Sequence, residues 1–355
     1  MIKNDKIVEQ LYYKSIVYSR DVRDFGEHIR GTVNIENKII PSYPKIPRAF
    51  FLKEAIKKQF SNNKFIVEEK IDGTNVRVFY HANSNTLLAF TRGGYVCPYS
   101  TEILQENKNI GELLQDFPHL CAFGELIGNN PYNHISTIYG LEPKILIFDI
   151  FKVRKDYQLD LLLPLQRKEL LERYEIDSVP IFGVMDIHDY KKIEEKLQNL
   201  EAKGREGLVM KSVSGMEPRL KYITFNACVA AIADHIAKGF EQSAPGTKER
   251  FYLAGTYLEK VGGIKREQAY SLFGKMILER LTEAIAKGEA TEQFTIRISE
   301  EGWELLKRRI RKHVILREDK RKKIGNNKIE ITFSKIYPKS TGFIKEFLKG
   351  KVYFD

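Results

Sequence analysis

The residue in this sequence best placed to do chemistry is a lysine followed two positions later by Asp-Gly. Lys70 lies in Glu68-Glu69-Lys70-Ile71-Asp72-Gly73, between two apolar runs rich in β-branched and aromatic residues. A lysine is a covalent nucleophile only as the neutral amine, and with an ordinary pKa near ~10.4 about one molecule in a thousand is neutral at pH 7.4. Deprotonation therefore costs roughly 4 kcal/mol, and the adjacent acids raise that cost. A reactive Lys70 needs positive charge from elsewhere in the chain or from a bound divalent cation.

The same residues also have a structural interpretation. Asp72-Gly73 is a common turn dipeptide and could close a hairpin between the apolar runs at 65–67 and 76–80. Lys-x-Asp-Gly alone arises by chance in roughly one chain of this length in ten, so on the tetrapeptide the hairpin is favoured. Further polar positions downstream change the balance.

Two of these positions follow or interrupt strand-like runs beside glycines. Arg92 follows an apolar run and precedes Gly93-Gly94, where backbone could approach a ligand and the guanidinium could bind phosphate or ribose oxygens. Glu125 is the single acid of a strand-like run and could accept from ribose hydroxyls or hold a metal-bound water. Alone, each has a plainer reading, as an exposed arginine at a turn and as an edge-strand carboxylate.

Three further runs supply an aromatic face and cations. Residues 145–151 read as a buried strand, in which Phe148 or Phe151 could stack on a purine, although an aromatic there is more often core. The other candidates are Glu206 at the start of a strand, Lys211 at its end, and Arg219 and Lys221, which period-two geometry places on one strand face.

Taken in order with Lys70, these motifs resemble the covalent nucleotidyltransferase superfamily of polynucleotide ligases and mRNA capping guanylyltransferases. The resemblance covers roughly residues 65–224. Within the superfamily, Tyr43-Pro44-Lys45-Ile46, Thr91-Arg92-Gly93-Gly94, the block 123–128 and the helical texture after 226 are similar to the archaeal-type homodimeric ATP-dependent RNA ligases, over nearly the whole chain.

The resemblance implies a role for each position. Lys70 would attack the α-phosphorus of ATP and form lysyl-AMP, with Mg²⁺ (or Mn²⁺), Lys211 and Lys221 lowering its pKa. The other implied contacts are Glu68 with adenine, Arg92 and Glu125 with the ribose, Phe148 with the purine face, Glu206 and Glu125 with the metal or its waters, Asn75 and Arg77 with the 5′-phosphate end, and Arg219 with a phosphate. AMP would then pass to the 5′-phosphate of RNA, and an RNA 3′-hydroxyl would displace it.

Composition favours a polyanionic partner. The chain has 355 residues, a net charge of +11 and 43% hydrophobic residues, which is typical of a soluble protein of two or three domains. Two basic runs, 307–312 and 320–323, could contact phosphates or could be solvated helix faces. Cys97, Cys121 and Cys228 are far apart and are expected to be ordinary core residues. No apolar run approaches the ~20 residues of a membrane span and no secretory leader is visible, so a cytoplasmic location is expected.

Hydrophobic periodicity predicts an α+β fold with mostly antiparallel strands in the nucleotidyltransferase domain, flanking helices and a helical C-terminal module. Strands are predicted at 64–70, 76–81, 86–91, 121–127, 144–151, 180–184, 206–211 and 219–224, and helices at 50–59, 164–174, 189–203, 227–239, 247–260, 265–287 and from Ser299, with Trp303, Leu306, Ile310 and Val314 on one face of the last. A turn at 325–327 precedes a final strand. The predicted segments are an N-terminal arm or small β module (1–48), the adenylation domain (49–226), a helical domain that would mediate homodimerisation (227–316) and a strand and helix segment (317–355).

Other functions remain open. A guanylyltransferase would use GTP and normally carries a β-barrel after the last motif, where this sequence becomes helical. A ligase acting on DNA ends, or a non-catalytic RNA-binding protein on a transferase scaffold, are the alternatives to an RNA ligase. Retention of the lysines and acids together disfavours the non-catalytic protein.

Overall fold

The computed structural model describes residues 7–26, 28–61, 63–132, 138–215, 217–237, 247–257, 265–310 and 314–350. The chain divides into two compact units that interleave along the sequence. The first contains residues 1–47, 62–186 and 210–220, and the second contains 48–61, 187–209 and 221–355. The N-terminal 47 residues therefore belong to the same unit as most of the predicted adenylation domain. The predicted four-segment division stays a prediction.

The first unit begins with a four-stranded antiparallel sheet. Its strands are β1 (Val8–Tyr13), β2 (Ile16–Asp21), β3 (Val33–Ile35) and β4 (Lys38–Ile40), in that spatial order. Alternate side chains such as Tyr18 and Val33 are buried, as expected for a sheet with one covered face. The predicted small β module is thus an ordered sheet.

Two further sheets carry the positions singled out above. One has the order β10-β5-β11-β12, with β5 (Phe65–Lys70), β10 (Ile181–Met185), β11 (Gly207–Ser212) and β12 (Arg219–Ile223). The other is antiparallel with the order β7-β6-β8-β9, from β6 (Thr74–His81), β7 (Thr86–Thr91), β8 (Leu120–Ile127) and β9 (Lys144–Lys152). All eight predicted strands are present, which confirms the α+β class. The boundary between the units passes through β11 and β12.

Three helices flank these sheets in the first unit: α2 (Pro98–Glu106), α3 (Lys108–Asp116) and α4 (Pro164–Arg173). The sequence predicted α4 but not α2 or α3. Both missed helices have recognisable starts, since Pro98 occupies the first turn of α2 and the Asn107 side chain accepts from the backbone N–H of Ile110 at the start of α3.

The predicted helices of the second unit are present, and residues 238–239 and 258–260 of two predicted ranges lie outside the described residues. They are α1 (Leu52–Phe60), α5 (Tyr190–Ala202), α6 (Phe225–Ala237), α7 (Thr247–Thr256) and α8 (Arg266–Lys287). The carboxylate of Glu201 accepts from the backbone N–H groups of Phe225 and Asn226 at 2.8 and 2.7 Å. It therefore satisfies donors at the α6 N-terminus that have no partner within the helix.

The chain ends in a three-stranded antiparallel sheet with two helices. The order is β13-β15-β14, from β13 (Thr291–Ser299), β14 (Ile315–Gly325) and β15 (Lys328–Ile336), accompanied by α9 (Glu300–Ile310) and α10 (Pro338–Leu348). Trp303 of α9 is fully buried against Phe333, with ring centroids 4.8 Å apart. The turn at 325–327 and the final strand are confirmed.

Two expectations for this region need correction, and one strand was missed. α9 ends at Ile310 among the described residues, so Val314, although buried, lies beyond it. β13 was not predicted. The basic run 320–323 lies on a strand and not on a helix face. Its four residues pair with residues 329–332 of β15, in which apolar and polar side chains alternate. The first run lies on α9 as far as Ile310, and residues 311–313 are outside the described part.

The three cysteines are buried and none forms a disulfide bond with another described residue, as expected for core residues. In the described ranges, no helix is both long enough and apolar enough to cross a bilayer.

Candidate active site

Lys70 is the last residue of β5, at the point where the chain passes from one sheet to another. β5 pairs within the β10-β5-β11-β12 sheet, whereas β6, which begins at Thr74, belongs to the β7-β6-β8-β9 sheet. Asp72-Gly73 therefore does not close a hairpin, and the structural interpretation of the motif is wrong. The half-buried Lys70 lies at a crossover between two sheets, a place where a side chain can reach ligand and still be positioned by packed strands.

Gly73 is required by the close approach of the crossover to β8. A Cβ atom at this position would lie 2.4 Å from the carbonyl oxygen of Leu126 and 2.9 Å from Cγ of Glu125. Both distances are shorter than real Cβ contacts, and the first involves backbone, which cannot rotate away. The glycine two positions before Asn75 thus keeps the crossover against the strand that carries Glu125.

Asn75 and Glu125 are directly opposite each other in the β6–β8 ladder. Opposite residues of an antiparallel pair have Cβ atoms about 5 Å apart, so the two side chains share one face. Glu125 is half-buried, and the buried side-chain oxygen of Asn75 accepts no hydrogen bond. A buried, unsatisfied acceptor costs about 1–3 kcal/mol, so this oxygen marks a place where a ligand could donate. Arg92 follows β7 and its side chain is exposed.

Three of the predicted site residues, Glu68, Lys211 and Arg219, belong to a cluster of buried charges. Glu68, two positions before Lys70, is 1% exposed. Its carboxylate accepts from Lys211 Nζ at 2.7 Å and from the guanidinium of Arg167 on α4. Lys211 and Arg167 also donate to the backbone carbonyl oxygen of Phe148. Glu68 is thus fully engaged with protein cations.

Asp149 is the second carboxylate of the cluster and is fully buried. Lys211 Nζ lies 3.2 Å from Oδ1, while Arg219 Nη1 lies 3.2 Å from Oδ2. The Tyr43 hydroxyl donates to Oδ2 at 2.5 Å and accepts from Arg219 at 2.6 Å. Asp149 therefore ties together the N-terminal segment, β9, β11 and β12.

Burial and charge act on these groups in opposite directions. Burial alone would raise the pKa of Asp149, but the charges of Lys211, Arg219 and Arg167 hold its pKa below the usual range. For Lys211, burial lowers the pKa of the ammonium, and the attraction of Asp149 and Glu68 opposes but does not cancel that effect. Burial, with the nearby Asp149 carboxylate, raises the pKa of the Tyr43 hydroxyl, so it remains a donor.

The cluster holds three cations against two carboxylates, which leaves one excess positive charge. Alternate residues of a strand share a face, so Lys70 follows Glu68 on that face at about 7 Å along β5. The cluster pairs Glu68, one of the acids beside Lys70, with cations, and it adds one excess positive charge that opposes the other two, Glu69 and Asp72.

The structure gives Arg77 a role other than the predicted one. Its guanidinium is fully buried and donates to the backbone carbonyl oxygens of Ile40, Pro41, Gly31 and Thr91. Burial lowers its pKa to about 10, which still leaves it protonated at neutral pH. Arg77 therefore joins β6 to the 31–41 segment, and contact with a 5′-phosphate is not supported by this geometry.

Of the two aromatic residues considered for stacking on a purine, Phe148 remains a candidate and Phe151 does not. Phe151 is completely buried, whereas Phe148 is half-buried and packs edge to face on Tyr43 with centroids 5.0 Å apart. Lys211 Nζ lies 5.5 Å from the Phe148 ring centroid. One part of this ring is thus held by the charge cluster and part remains accessible.

Glu206 and Lys221 belong to the second unit. Glu206 is 6% exposed, and its carbonyl oxygen accepts from Thr224 N at 2.9 Å. Lys221 is half-buried, and its carbonyl oxygen accepts from Ala49 N at 2.8 Å. Their contacts with a nucleotide stay predictions.

The donor set fits a divalent ion that is bound together with its substrate. In the described ranges, no three His, Cys, Asp or Glu side chains are grouped so that they could hold a metal. Mg²⁺ commonly keeps several waters and uses one or two carboxylates plus substrate phosphates. The half-buried carboxylate of Glu125 is suited to that role.

Sequence reasoning assigned no role to Asp149, Arg167 or Tyr43. Two signals pointed to the first two. Asp149 is the only charged residue within the apolar run 145–151, and a buried acid needs cationic partners. Arg167 is one helical turn from Pro164 and Leu171, which are buried on the same face of α4.

The fold of the chain is similar to that of solved ligase structures. An archaeal ATP-dependent RNA ligase structure is 27% identical with a TM-score of 0.85, and the match covers 98% of this chain and 94% of that one. A structure from Aquifex aeolicus, provisionally designated an ATP-dependent DNA ligase, is 29% identical with a TM-score of 0.88 over 98% and 97% of the two chains.

Two family models match most of the chain between them. The model described as RNA ligase matches residues 63–223, and the model described as Ligase Pab1020 C-terminal region matches residues 257–351. An uncharacterised protein of Methanocaldococcus jannaschii is 32% identical over 228 residues, which is 62% of this chain and 56% of that protein. The chain thus spans little more than half the length of that relative. The predicted resemblance to the archaeal-type ATP-dependent RNA ligases is confirmed.

Replacing Gly73 by Ala should impair the site without unfolding the protein. The new Cβ would clash with Leu126 O, so the crossover must move away from β8 and carry Lys70 with it. We expect at least a tenfold slower formation of the covalent nucleotide adduct, measured by intact-mass spectrometry. Gly111→Ala in α3 is the matched control, since its Cβ would meet an ordinary contact at 3.6 Å. Equal rates of adduct formation in the two variants would show that the contact between Gly73 and β8 does not position Lys70.

Asp149→Asn should flatten the acid side of the stability profile. Because the pKa of Asp149 is lowered in the folded state, its contribution is present above the unfolded value of ~3.9 and is lost as the pH falls below it. Removing one partner from a buried ion cluster costs about 3–5 kcal/mol. The variant should therefore have a lower melting temperature than the wild type at pH 7. Its free energy of unfolding should fall less than that of the wild type when the pH is lowered. The control is Asp156→Asn, in an exposed pair with Arg154, and an unchanged acid profile in Asp149→Asn would place the acid sensitivity elsewhere.

Proposed function

We propose that the protein is an ATP-dependent RNA ligase that joins 5′-phosphate and 3′-hydroxyl ends through lysyl-AMP and adenylated RNA. The observation that carries the proposal is the position of Lys70, at a sheet crossover and on the same face as a buried cluster with excess positive charge. The match of residues 63–223 to the RNA ligase model and the similarity to an archaeal ATP-dependent RNA ligase structure support RNA as the acceptor and ATP as the nucleotide.

In the first step, Nζ of neutral Lys70 attacks the α-phosphorus of ATP. A P–N bond forms, the bond to the pyrophosphate oxygen breaks, and one of the two Nζ protons is lost while the other stays on the nitrogen. The excess charge of the cluster favours the neutral amine and stabilises the charge that develops on the phosphates. The Asn75 oxygen and the Glu125 carboxylate lie on the next sheet, where they are suited to accept from ribose hydroxyls or from metal-bound water. A bound Mg²⁺ would neutralise phosphate charge.

In the second step, an oxygen of the RNA 5′-phosphate attacks the same phosphorus, the P–N bond breaks and Lys70 regains its proton. The RNA 3′-hydroxyl then attacks the adenylated 5′-phosphate and AMP leaves as the phosphodiester forms. Both are in-line displacements that depend on positioning and on charge neutralisation. The exposed Arg92 is available to bind the nucleotide or the incoming phosphate.

Lys70→Ala should abolish the covalent adduct and all RNA joining, while RNA binding remains close to that of the wild type. The measurement is intact-protein mass spectrometry after incubation with Mg²⁺ and either ATP or GTP, followed by peptide mapping. Lys64→Ala, an exposed lysine just before β5, is the control and should form the adduct normally. A GMP adduct would indicate a capping-type enzyme, and joining of 5′-phosphorylated DNA in preference to RNA would indicate the DNA ligase alternative. An adduct retained in Lys70→Ala would contradict the assignment of the nucleophile.

We also infer that the second unit forms a homodimer through α8. Along 22 residues, only Ala269 of this helix is buried, although Tyr270, Leu278, Leu281 and Ile285 follow helical spacing on one face. Leu278 is 64% exposed and Tyr270 is 61% exposed. Monomeric proteins rarely leave such contiguous apolar surface in water, and a second copy of the same helix would cover it symmetrically.

Leu278→Glu should convert the dimer into a monomer. The expected species in sedimentation are twice 41.2 kDa for the wild type and 41.2 kDa for the variant, because a buried carboxylate at a self-complementary interface would face its own copy. Ala286→Glu is the control. It introduces the same acid at an exposed position of α8 that lies about 80° around the helix from Leu278, and this variant should stay dimeric. A monomeric wild type at micromolar concentration would disprove this interface.

A further inference from the structure

The last sheet of the second unit has a strongly basic edge. β14 is an outer strand in the order β13-β15-β14, and its eleven residues include five basic and two acidic side chains. All of them except Leu316 are exposed. A net charge of about +3 is therefore displayed along one strand.

The strand register distributes these charges on both faces of the sheet. Lys320 pairs with Thr332 and Lys322 with Glu330, on the face that also carries the exposed Arg297 of β13. Lys323 pairs with the buried Ile329, on the face covered in part by α9. A bulge between Glu318 and Lys320 sets this alternation.

Only some of the charges are neutralised within the protein. Arg317 forms ion pairs with Glu289 and Asp319 at 2.8 and 2.9 Å, and Arg321 pairs with Glu300 at 3.2 Å. Lys320, Lys322 and Lys323 make no hydrogen bond or ion pair with other described residues. We call these three side chains the lysine edge.

The neighbouring acids are already engaged by other groups. Glu330, opposite Lys322, pairs with Arg297 at 3.0 Å. Glu318 accepts from the indole N–H of Trp303 at 2.8 Å and from Lys307 at 3.3 Å. Lys307 of the first basic run is thereby neutralised as well. The two basic runs therefore differ. In the run 307–312, Lys307 is paired within the protein, whereas in the run 320–323 three lysines carry charges without an ion-pair partner among the described residues.

We propose that the lysine edge binds the phosphate backbone of the RNA substrate, independently of base sequence. The proposal rests on the proposed ligase function and assigns a substrate contact to the C-terminal region. Because β14 is an outer strand, the ammonium groups of Lys320 and Lys322 on one face and of Lys323 on the other flank the same open edge. A chain of phosphates along that edge is within reach of all three, since each acts as a point charge without a fixed donor geometry. A lysine-rich edge strand also discourages edge-to-edge association of sheets. The experiment below distinguishes this protective role from RNA binding.

The test compares two full-length triple variants with the same loss of charge. One carries Lys320→Gln, Lys322→Gln and Lys323→Gln, and the control carries Lys57→Gln, Lys58→Gln and Lys191→Gln, exposed lysines of α1 and α5. Binding of a 5′-phosphorylated single-stranded RNA is measured by fluorescence anisotropy over a series of salt concentrations. Light scattering is recorded in parallel, and lysyl-AMP formation reports on the integrity of the first unit.

For the lysine-edge variant, the slope of log K against log salt should become shallower by about 2, since each phosphate contact on a single strand contributes about 0.7. At ~0.1 M salt this corresponds to roughly 100-fold weaker binding. Adduct formation should be unchanged, and the control should keep the wild-type slope.

Three results would overturn the proposal: an unchanged slope in the lysine-edge variant, an equal change in the control, or aggregation of the lysine-edge variant with unchanged affinity, which would assign the lysines to protection of the edge. Failure of the ligase function itself looks different, because the wild type would then form no lysyl-AMP.

Discussion

The geometry of the candidate site depends on two carboxylates that are buried among three cations. Both Glu68 and Asp149 form ion pairs with cations drawn from Arg167, Lys211 and Arg219, and a buried carboxylate without such partners is costly. Those partners come from α4, β11 and β12, while the acids come from β5 and β9. Bringing the five groups together therefore fixes where β5 ends, and β5 ends at Lys70.

The cluster is better suited to create a field than to exchange protons. Lys211 is held by both carboxylates and by the carbonyl oxygen of Phe148, so it cannot reach out as a flexible ligand without breaking buried contacts. Its neighbours hold the pKa of Asp149 down, so this carboxylate stays ionised. The cluster contributes one excess positive charge near Lys70, which opposes the carboxylates of Glu69 and Asp72.

The sequence predicted the strands of the first unit well because their apolar runs are long and are interrupted by recognisable turns. It also placed Lys70 at the end of a strand, where the structure has it. It did not predict α2, whose first turn contains polar residues that are buried, such as Ser100 and Thr101. Nor did it distinguish Arg77 from a ligand contact, because four backbone acceptors from distant segments are visible only after folding. Local pattern identifies strands, whereas long-range polar contacts decide which charged residues are structural.

The second unit separates an apolar surface from a charged one. The exposed face of α8 is suited to a partner without charge, and the lysine edge is suited to a polyanion. A ligase must hold two ends of RNA, and free ends meet rarely at low concentration. If α8 joins two copies, each assembly carries two lysine edges, and binding of one RNA segment raises the effective concentration of the next at the second edge. The C-terminal region would then contribute to joining by retaining RNA, while the bond-forming chemistry stays with Lys70 in the first unit.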